Sequence, residues 1–395
     1  MNVRANINVP LKDSAAQLLR VNFVTDLAGL ASLKDRWEII NRRTIDHESP
    51  FFQSYAWCAH VASVRLARSP SRFRLCVATI WRNDSLIGIW PLSLQKMFGA
   101  WIVKNLDDPF GQFAGVVFEH KVDIEPSVAA VITNLKASRF ADGLKIDAVV
   151  EQTPLYAALQ DAGALSKFAN QAVYVDLRPY PSFTDYADTV NKKTRKNLRN
   201  ALSRLQRRTH VESRVVDDKT RVGEIIATAF VGRLEWMHEY GHSSPAFRDQ
   251  DFRHILESLS ECEGIELLGF SLATNEESIA AQWGFNYLGK YYAYLSARNS
   301  RYDEFSPGRL HLGMVIEACK ARGIDVLELM PPATSYKLTW TEHTKRLDVF
   351  MMPFSMKGYL ALNVFTDKIL PASKFASHWI PRSIRKRLVG YLNMK

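Results

Sequence analysis

Strands alternating with helices predict a mixed α/β fold, and three observations carry that prediction. Two apolar hairpins, residues 75–94 and 266–287, are each interrupted by a short polar turn. Helical sequence precedes each of them, at residues 31–42 and 57–68 in the first half and at 221–239 and 249–261 in the second. At 395 residues the chain is too long for one ordinary domain and suits two, each able to bury its own core. The repeated order predicts an internal duplication, each half a mixed central sheet flanked by helices.

In chain order, the first hairpin pairs strand 75–81 with strand 86–94 around Arg82-Asn83-Asp84-Ser85. The second pairs 266–272 with 279–287 around residues 273–278. A strand at 291–297, a helix from Pro307 to Arg322, a strand at 325–330 and a last strand at 346–351 follow. Tyr180-Pro181-Ser182, after a strand at 173–177, reads as the boundary between halves. The expected division is an N-terminal extension over 1–20, a first domain over 21–180, a second over 181–353 and a tail over 354–395.

With 47% apolar and 23% charged residues, the chain has the balance of a soluble globular protein rather than a disordered one. Cys58, Cys76, Cys262 and Cys319 stand far apart without a Cys-x-x-Cys pair, which argues against a disulfide framework or zinc ribbon and suits a reducing compartment. Residues 1–20 carry Arg4, Lys12 and Asp13 and no continuous apolar run, so no signal peptide or anchor is expected there. No apolar run elsewhere reaches the roughly 18 to 20 residues that span a bilayer. A cytoplasmic protein is expected. The net charge of +10 is unevenly placed. Lys plus Arg against Asp plus Glu count 20 and 17 over residues 1–180, 23 and 23 over 181–353, and 8 and 1 over 354–395.

The stretch Tyr302-Asp303-Glu304-Phe305-Ser306-Pro307-Gly308-Arg309 opens the helix at Pro307. A helix N-terminus offers unpaired N–H groups and partial positive charge, so a glycine-bearing turn before it can hold a pyrophosphate. Gly308 lets the backbone approach such a group, Pro307 sets the entry and Arg309 adds charge; Pro-Gly is also an ordinary helix start signal.

Five stretches together resemble the Fem-like GNAT acyltransferases, including the cellulose-biosynthesis (CelD-type) acetyltransferase domain. They are Lys192-Lys193-Thr194-Arg195-Lys196-Asn197-Leu198-Arg199, Ile279-Ala280-Ala281-Gln282, Tyr302 through Leu310, Gly323-Ile324-Asp325 and Tyr336-Lys337-Leu338-Thr339-Trp340. The resemblance covers about residues 30–350 and is stronger in the second half. It implies tandem GNAT-like domains, with acyl-CoA bound in the second and an acceptor in the cleft between halves. Two stretches depart from the family pattern. The GNAT phosphate loop is reduced to Ser306-Pro307-Gly308-Arg309, and the run before Tyr336-Lys337 is Glu328-Leu329-Met330-Pro331-Pro332.

An amine that attacks a thioester must lose a proton, and the leaving thiolate must gain one. Tyr336 is the candidate general acid, Lys337 the electrostatic support and Glu328 a base acting through water. Gln282 and Asn286 share one strand face and could orient the acceptor. Ser306, Pro307, Gly308, Arg309 and Leu310 form the expected donor site, and Asn286, Trp236 and Tyr302 the expected substrate contacts. The donor is acyl-CoA or acyl carrier protein, the acceptor an amine of an envelope precursor, and no metal is expected.

Residues 192–208 hold eight Lys or Arg and no acid, while Leu198, Leu202 and Leu205 make an apolar stripe, so this reads as an amphipathic surface helix. A solvated face or contact with an anionic donor or acceptor is favoured there over nucleic acid. In the tail, Ile380, Ile384, Leu388 and Leu392 recur every fourth residue among Arg382, Arg385, Lys386 and Arg387. That is the pattern of an interfacial helix, each basic residue contributing on the order of 1 kcal/mol near anionic lipid, or of a helix packed on the protein body. Contact over 379–392 would place the protein at the inner face of a membrane.

Two rival readings stand beside this one. His238-Glu239-Tyr240-Gly241-His242 matches His-Glu-x-x-His, the pattern of a zinc hydrolase, although Gly241 and Ser243-Ser244-Pro245 interrupt its helix. A degenerate GNAT-like scaffold is the other, suggested by the altered phosphate turn.

Overall fold

The computed structural model describes residues 7–8, 19–43, 50–120 and 123–363, which sort into two units that interrupt each other along the chain. Among these residues, one unit holds those up to Ala169 with Asp249–Ile255 and 346–363. The other holds Asn170–Arg248 and Leu256–Lys345.

In the first unit the apolar hairpin is built differently from its sequence reading. Each expected strand is two, broken at Cys76 and at Pro91. Val77–Arg82 pairs with Ser85–Trp90 in one antiparallel sheet that also takes in Leu19–Val24 and Val117–Phe118. Phe73–Leu75 and Leu92–Met97 pair in a second sheet. Pro91 supplies no N–H to a ladder, so the chain can change sheets there. Continuous apolar sequence hides the break because both sheets bury these residues. The second sheet continues through Ala100–Asn105 and, parallel to it, Gly143–Val150, joined by the helix Ile124–Ser138. Residues 347–353 add to that sheet, antiparallel to Gly143–Val150.

The expected helix over 249–261 is also broken. The Asp249 carboxylate accepts the Asp251 N–H at 3.0 Å, a local turn that competes with helix, and only Phe252–Glu257 and a 3-10 turn at Leu259–Glu261 remain helical. Asp251 is fully buried, accepts the Ser69 hydroxyl at 2.6 Å and lies 3.5 Å from the Arg65 guanidinium, which ties this segment into the first unit.

The second unit is one mixed sheet. Glu266–Ala273 and Ser278–Tyr287 form the hairpin, Lys290–Arg298 adds antiparallel, and after the helix Pro307–Ala321 the strand Val326–Met330 adds parallel to Lys290–Arg298. Glu212–Val216 borders the hairpin, and Val173–Asp176 pairs with Val326–Met330 on its other side. The order of hairpin, third strand, helix and parallel strand thus occurs in both units. A duplicated, mixed α/β architecture is what the sequence predicts.

Two helices fix the surroundings of the sheet. Lys192–Arg208, capped by the Asn191 side chain, buries Leu198, Ala201 and Leu205. Lys219–Tyr240 packs against Lys290–Arg298 at Gly232, where a Cβ would stand 2.8 Å from that of Ala297, so glycine permits the close approach. No helix among the described residues is long and apolar enough to cross a membrane.

Candidate functional site

The site begins with a defect in the sheet. Trp283 pairs with Leu295 and Gly284 with Ala293, which leaves Tyr294 as an extra residue in a β-bulge. Only glycine fits opposite: a Cβ at Gly284 would lie 1.9 Å from the Tyr292 carbonyl oxygen. On the other side, Lys290–Arg298 pairs with Val326–Met330 only from Lys290 to Tyr292. Beyond Tyr292 the two parallel strands part, and backbone N–H and C=O groups on that side of 293–298 have no ladder partner in the neighbouring strand. An extended polar chain could pair with such an edge.

The chain leaves this strand for the turn that starts the helix Pro307–Ala321. Ser306 takes the left-handed conformation at φ 52°. Pro307 has no N–H, and those of Arg309 and Leu310 bond to the Ser306 carbonyl at 3.0 and 3.2 Å. Gly308 is therefore the first-turn amide not turned toward Ser306. A Cβ there would meet only Arg298 Cδ, at 3.8 Å, so the space beside it is open. Arg309 is exposed, whereas Pro307 and Leu310 are buried in the helix seat. The turn itself is tied down by Tyr302, whose hydroxyl donates to Glu277 Oε1 at 2.8 Å.

Tyr336 and Lys337 follow Val326–Met330 on a loop held to the same helix. The Trp340 indole N–H donates to the Arg309 carbonyl at 3.0 Å, and its ring occupies the place of the side chain that Gly313 lacks. Tyr336 hydrogen bonds with the Ser296 hydroxyl and lies beside Arg233. Burial raises its phenol above the usual range, against the opposing effects of Ser296 and Arg233, so it is protonated at neutral pH. Buried Lys337 donates from Nζ to the carbonyls of Met330 at 2.8 Å and Pro332 at 3.1 Å. Burial, assisted by Arg233, lowers its pKa to about 7. Arg233 in turn lies over the Trp236 ring at 4.4 Å.

The structure therefore brings Tyr336, Lys337 and Trp236 together through Arg233 and Ser296, neither of which sequence reasoning had selected. Ser296 could have been found by register, since it stands directly opposite Gln282. Arg233 could not, because only the packing of its helix brings it to Tyr336. Gln282 is buried on the Ser296 face of the sheet. Asn286 lies four residues, about 13 Å, farther along its strand, where its side-chain amide donates to Glu266 at 3.0 Å. It is not among the residues gathered at Tyr336. Glu328 is fully buried and ion-paired with Lys345 at 2.7 Å.

The His-Glu-x-x-His reading does not survive the fold. The helix ends at Tyr240, Gly241 caps it at φ 66°, and the exposed His242 ring stacks on Trp236 at 4.7 Å. His238 and His242 are therefore not one helical turn apart on a common face. Among the described residues no group of three His, Cys, Asp or Glu side chains could hold a metal ion. The basic pattern over 379–392 lies outside the described residues.

Residues 192–338 match the family model described as the acetyltransferase (GNAT) domain. The chain carries an acyltransferase domain of the GNAT type. No curated protein matches it. Among solved structures, that of FemX is similar over 82% of this chain and 97% of that one, at 11% identity and a TM-score of 0.57. At that identity the likeness shows the fold. A tandem GNAT protein from the clavulanic acid biosynthesis pathway is similar over 84% and 98% of the two chains, at 11% identity and a TM-score of 0.48. L-PGS from Bacillus licheniformis is similar over 80% and 89%, at 11% identity and a TM-score of 0.45.

Proposed function

We propose that this chain is an N-acyltransferase that moves an acyl group from acyl-CoA, or from acyl carrier protein, to an amine of a cell-envelope precursor. The observation that carries the reading is the placement of a protonated Tyr336 and a buried Lys337 on a loop clamped to the helix whose start offers Gly308. The parted strands supply an edge for the amides of a pantetheine chain, and the Gly308 amide with Arg309 suits its phosphates.

The amine nitrogen attacks the thioester carbon, a tetrahedral oxyanion forms, and the carbon–sulfur bond then breaks. Tyr336 gives its proton to the leaving sulfur, and Ser296 holds the phenol in place. Lys337 fixes the loop through two carbonyls and, when protonated, stabilises the oxyanion. Gln282 supports the acceptor side beneath Ser296, and Glu328 through water or the unprotonated fraction of Lys337 takes the amine's proton. Transfer is direct. Burial raises the thiols of Cys58 and Cys76, the latter to about 12, and raises those of Cys262 and Cys319 as well, so none of the four is a poised thiolate.

The acceptor class rests on the tail and on the CelD-type resemblance. The tail favours a lipid-borne amine at the inner face of a membrane, and the resemblance an amino sugar of an exopolysaccharide. A catalytically degenerate scaffold is the second reading, favoured by a donor turn with one open amide where a phosphate loop offers several.

Calorimetric titration of the purified chain with coenzyme A, acetyl-CoA and palmitoyl-CoA tests the proposal, with Gly308→Trp as the blocked control. Binding that the variant loses supports a donor site at this turn. Failure of the chain to bind any of the three moves weight to a carrier-protein donor, and failure with that donor as well leaves the scaffold reading.

A further inference from the structure

The basic helix Lys192–Arg208 has a face that the acyl-transfer site does not use. Lys192, Lys196, Arg199, Ser203 and Arg207 follow the spacing i, i+4, i+7, i+11 and i+15, which places them on one line opposite buried Leu198, Ala201 and Leu205. All four cations on that line are exposed. Arg207 bonds only to the Ser203 carbonyl in its own helix, at 3.2 Å, and the side chains of Lys192, Lys196 and Arg199 have no partner among the described residues. Off the line, the other arginines are engaged: Arg195 with Asp188, and Arg208 with Glu304 at 2.6 Å. Lys193, exposed at the start of the helix and beside the line, is likewise without a partner among the described residues, so the unpartnered cations gather on and next to this line while the arginines off it are paired.

The position of this line relative to the donor turn is fixed within one unit. Arg204 donates to the Glu304 carbonyl at 3.2 Å, and Arg204 and Arg208 both lie over the Phe305 ring at 5.7 Å. Phe305 immediately precedes Ser306, so the C-terminal end of the basic helix abuts the turn that starts at Ser306. At 1.5 Å per residue, Arg199 stands about 8 Å and Lys192 about 18 Å along the axis from Arg204.

We propose that this line is the docking surface for an acidic carrier protein that presents the acyl group on a phosphopantetheine arm. The inference rests on the acyltransferase reading and names the donor class of the same site. A phosphopantetheine arm has about thirteen main-chain bonds between phosphate and sulfur, the equivalent of four to five extended residues, or about 15 Å. With its phosphate at the Gly308 turn, such an arm runs along the open edge of residues 293–298, and the carrier that bears it sits over the basic helix whose C-terminal end abuts that turn. Charge complementarity selects the partner, since a row of unpaired cations attracts an acidic helix and gives salt-dependent association. Nucleic acid fits less well. Residues 192–208 contain no aromatic side chain on which a base could stack, and the cations of residues 181–353 are balanced by an equal number of acids, so within that stretch the excess of positive charge is local to this helix.

The test is titration of the full chain with palmitoyl-loaded acyl carrier protein, with palmitoyl-CoA and with unacylated tRNA, at about 50 and about 300 mM salt. The wild type is compared with Lys192→Glu/Lys196→Glu/Arg199→Glu and with the milder Lys192→Gln/Lys196→Gln/Arg199→Gln, both checked for helix content by circular dichroism. The expected result is a Kd for the carrier that weakens tenfold or more in the charge-reversed variant and with salt, less in the neutral variant, while that for palmitoyl-CoA stays within twofold. Carrier binding that is absent in the wild type or unchanged in the variants overturns the proposal and leaves the CoA-dependent reading standing. Equal weakening for both donors also overturns it, because the line would then contact the donor's own phosphates. Tighter binding of tRNA than of the carrier, lost in the variants, assigns the line to nucleic acid instead. No binding of either thioester donor overturns the acyltransferase reading together with this one.

Discussion

Replacing Gly313 with alanine sets two effects of known sign against each other. Within a helix, alanine is favoured over glycine by about 1 kcal/mol. At this position, however, the new Cβ would lie 2.4 Å from Trp340 Cζ2 and 2.7 Å from Cη2. Carbon atoms in ordinary contact stand about 3.5–4.0 Å apart, so the indole must retreat by about 1.2 Å. That movement strains the 3.0 Å bond from the indole N–H to the Arg309 carbonyl, a loss of about 0.5–1.5 kcal/mol. Overpacking adds about 1–3 kcal/mol. The clash outweighs the propensity gain, and Gly313→Ala should destabilise by about 0.5–3.5 kcal/mol. Gly223 is the control, because it sits in the helix Lys219–Tyr240 with nothing within 4 Å of a built Cβ. Gly223→Ala should stabilise by up to about 1 kcal/mol. Guanidinium denaturation followed by tryptophan fluorescence compares the midpoints of both variants with the wild type. A Gly313→Ala midpoint at or above that of the wild type would refute the argument that Trp340 clamps the Tyr336 loop to the helix.

Three further outcomes follow from the site. Gly284→Ala places a Cβ 1.9 Å from a backbone oxygen that cannot swing away, so the Tyr294 bulge should collapse at a cost on the order of 3 kcal/mol, read as a lower denaturation midpoint or loss of soluble protein. Tyr336→Phe should lower turnover with a donor Kd within twofold, measured by steady-state kinetics beside calorimetry; unchanged turnover removes Tyr336 as the acid. For Lys337, folding lowers the pKa from 10.5 to about 7, so between those values the unfolded chain holds a proton that the folded chain has released. Stability from this residue should therefore rise with pH across that window, at up to about 1.4 kcal/mol per pH unit, and be flat below it. Urea denaturation at pH 7, 8 and 9 should show that slope in the wild type relative to Lys337→Met, and equal slopes would refute the shift.

Much of the scaffold was legible because hydrophobic period is a local property of the chain. The apolar runs bounding residues 273–278, the Pro307 start and the Gly323 stop predict strands and a helix whose observed bounds differ by at most a few residues. The reading failed where burial on both faces erased the period, as at Cys76 and Pro91, and where side chains had distant uses, as with Asp249 and Asp251 in the broken helix. The candidate site divides along the same line. Tyr336, Lys337 and Gly308 stand in motifs that sequence resemblance could mark. Residues far apart in the chain became one site only through packing. Gly232 admits its helix close to the sheet and so delivers Arg233, and Trp340 fills the space left by Gly313 and so positions Tyr336. Composition and local pattern by themselves determined the alternation of elements, the duplication and the confinement of positive charge to a helix and a tail. The parting of two parallel strands beyond Tyr292, and the neighbours that shift the ionisation of Tyr336 and Lys337, were decided by the tertiary structure, because strand register and burial depend on which segments meet.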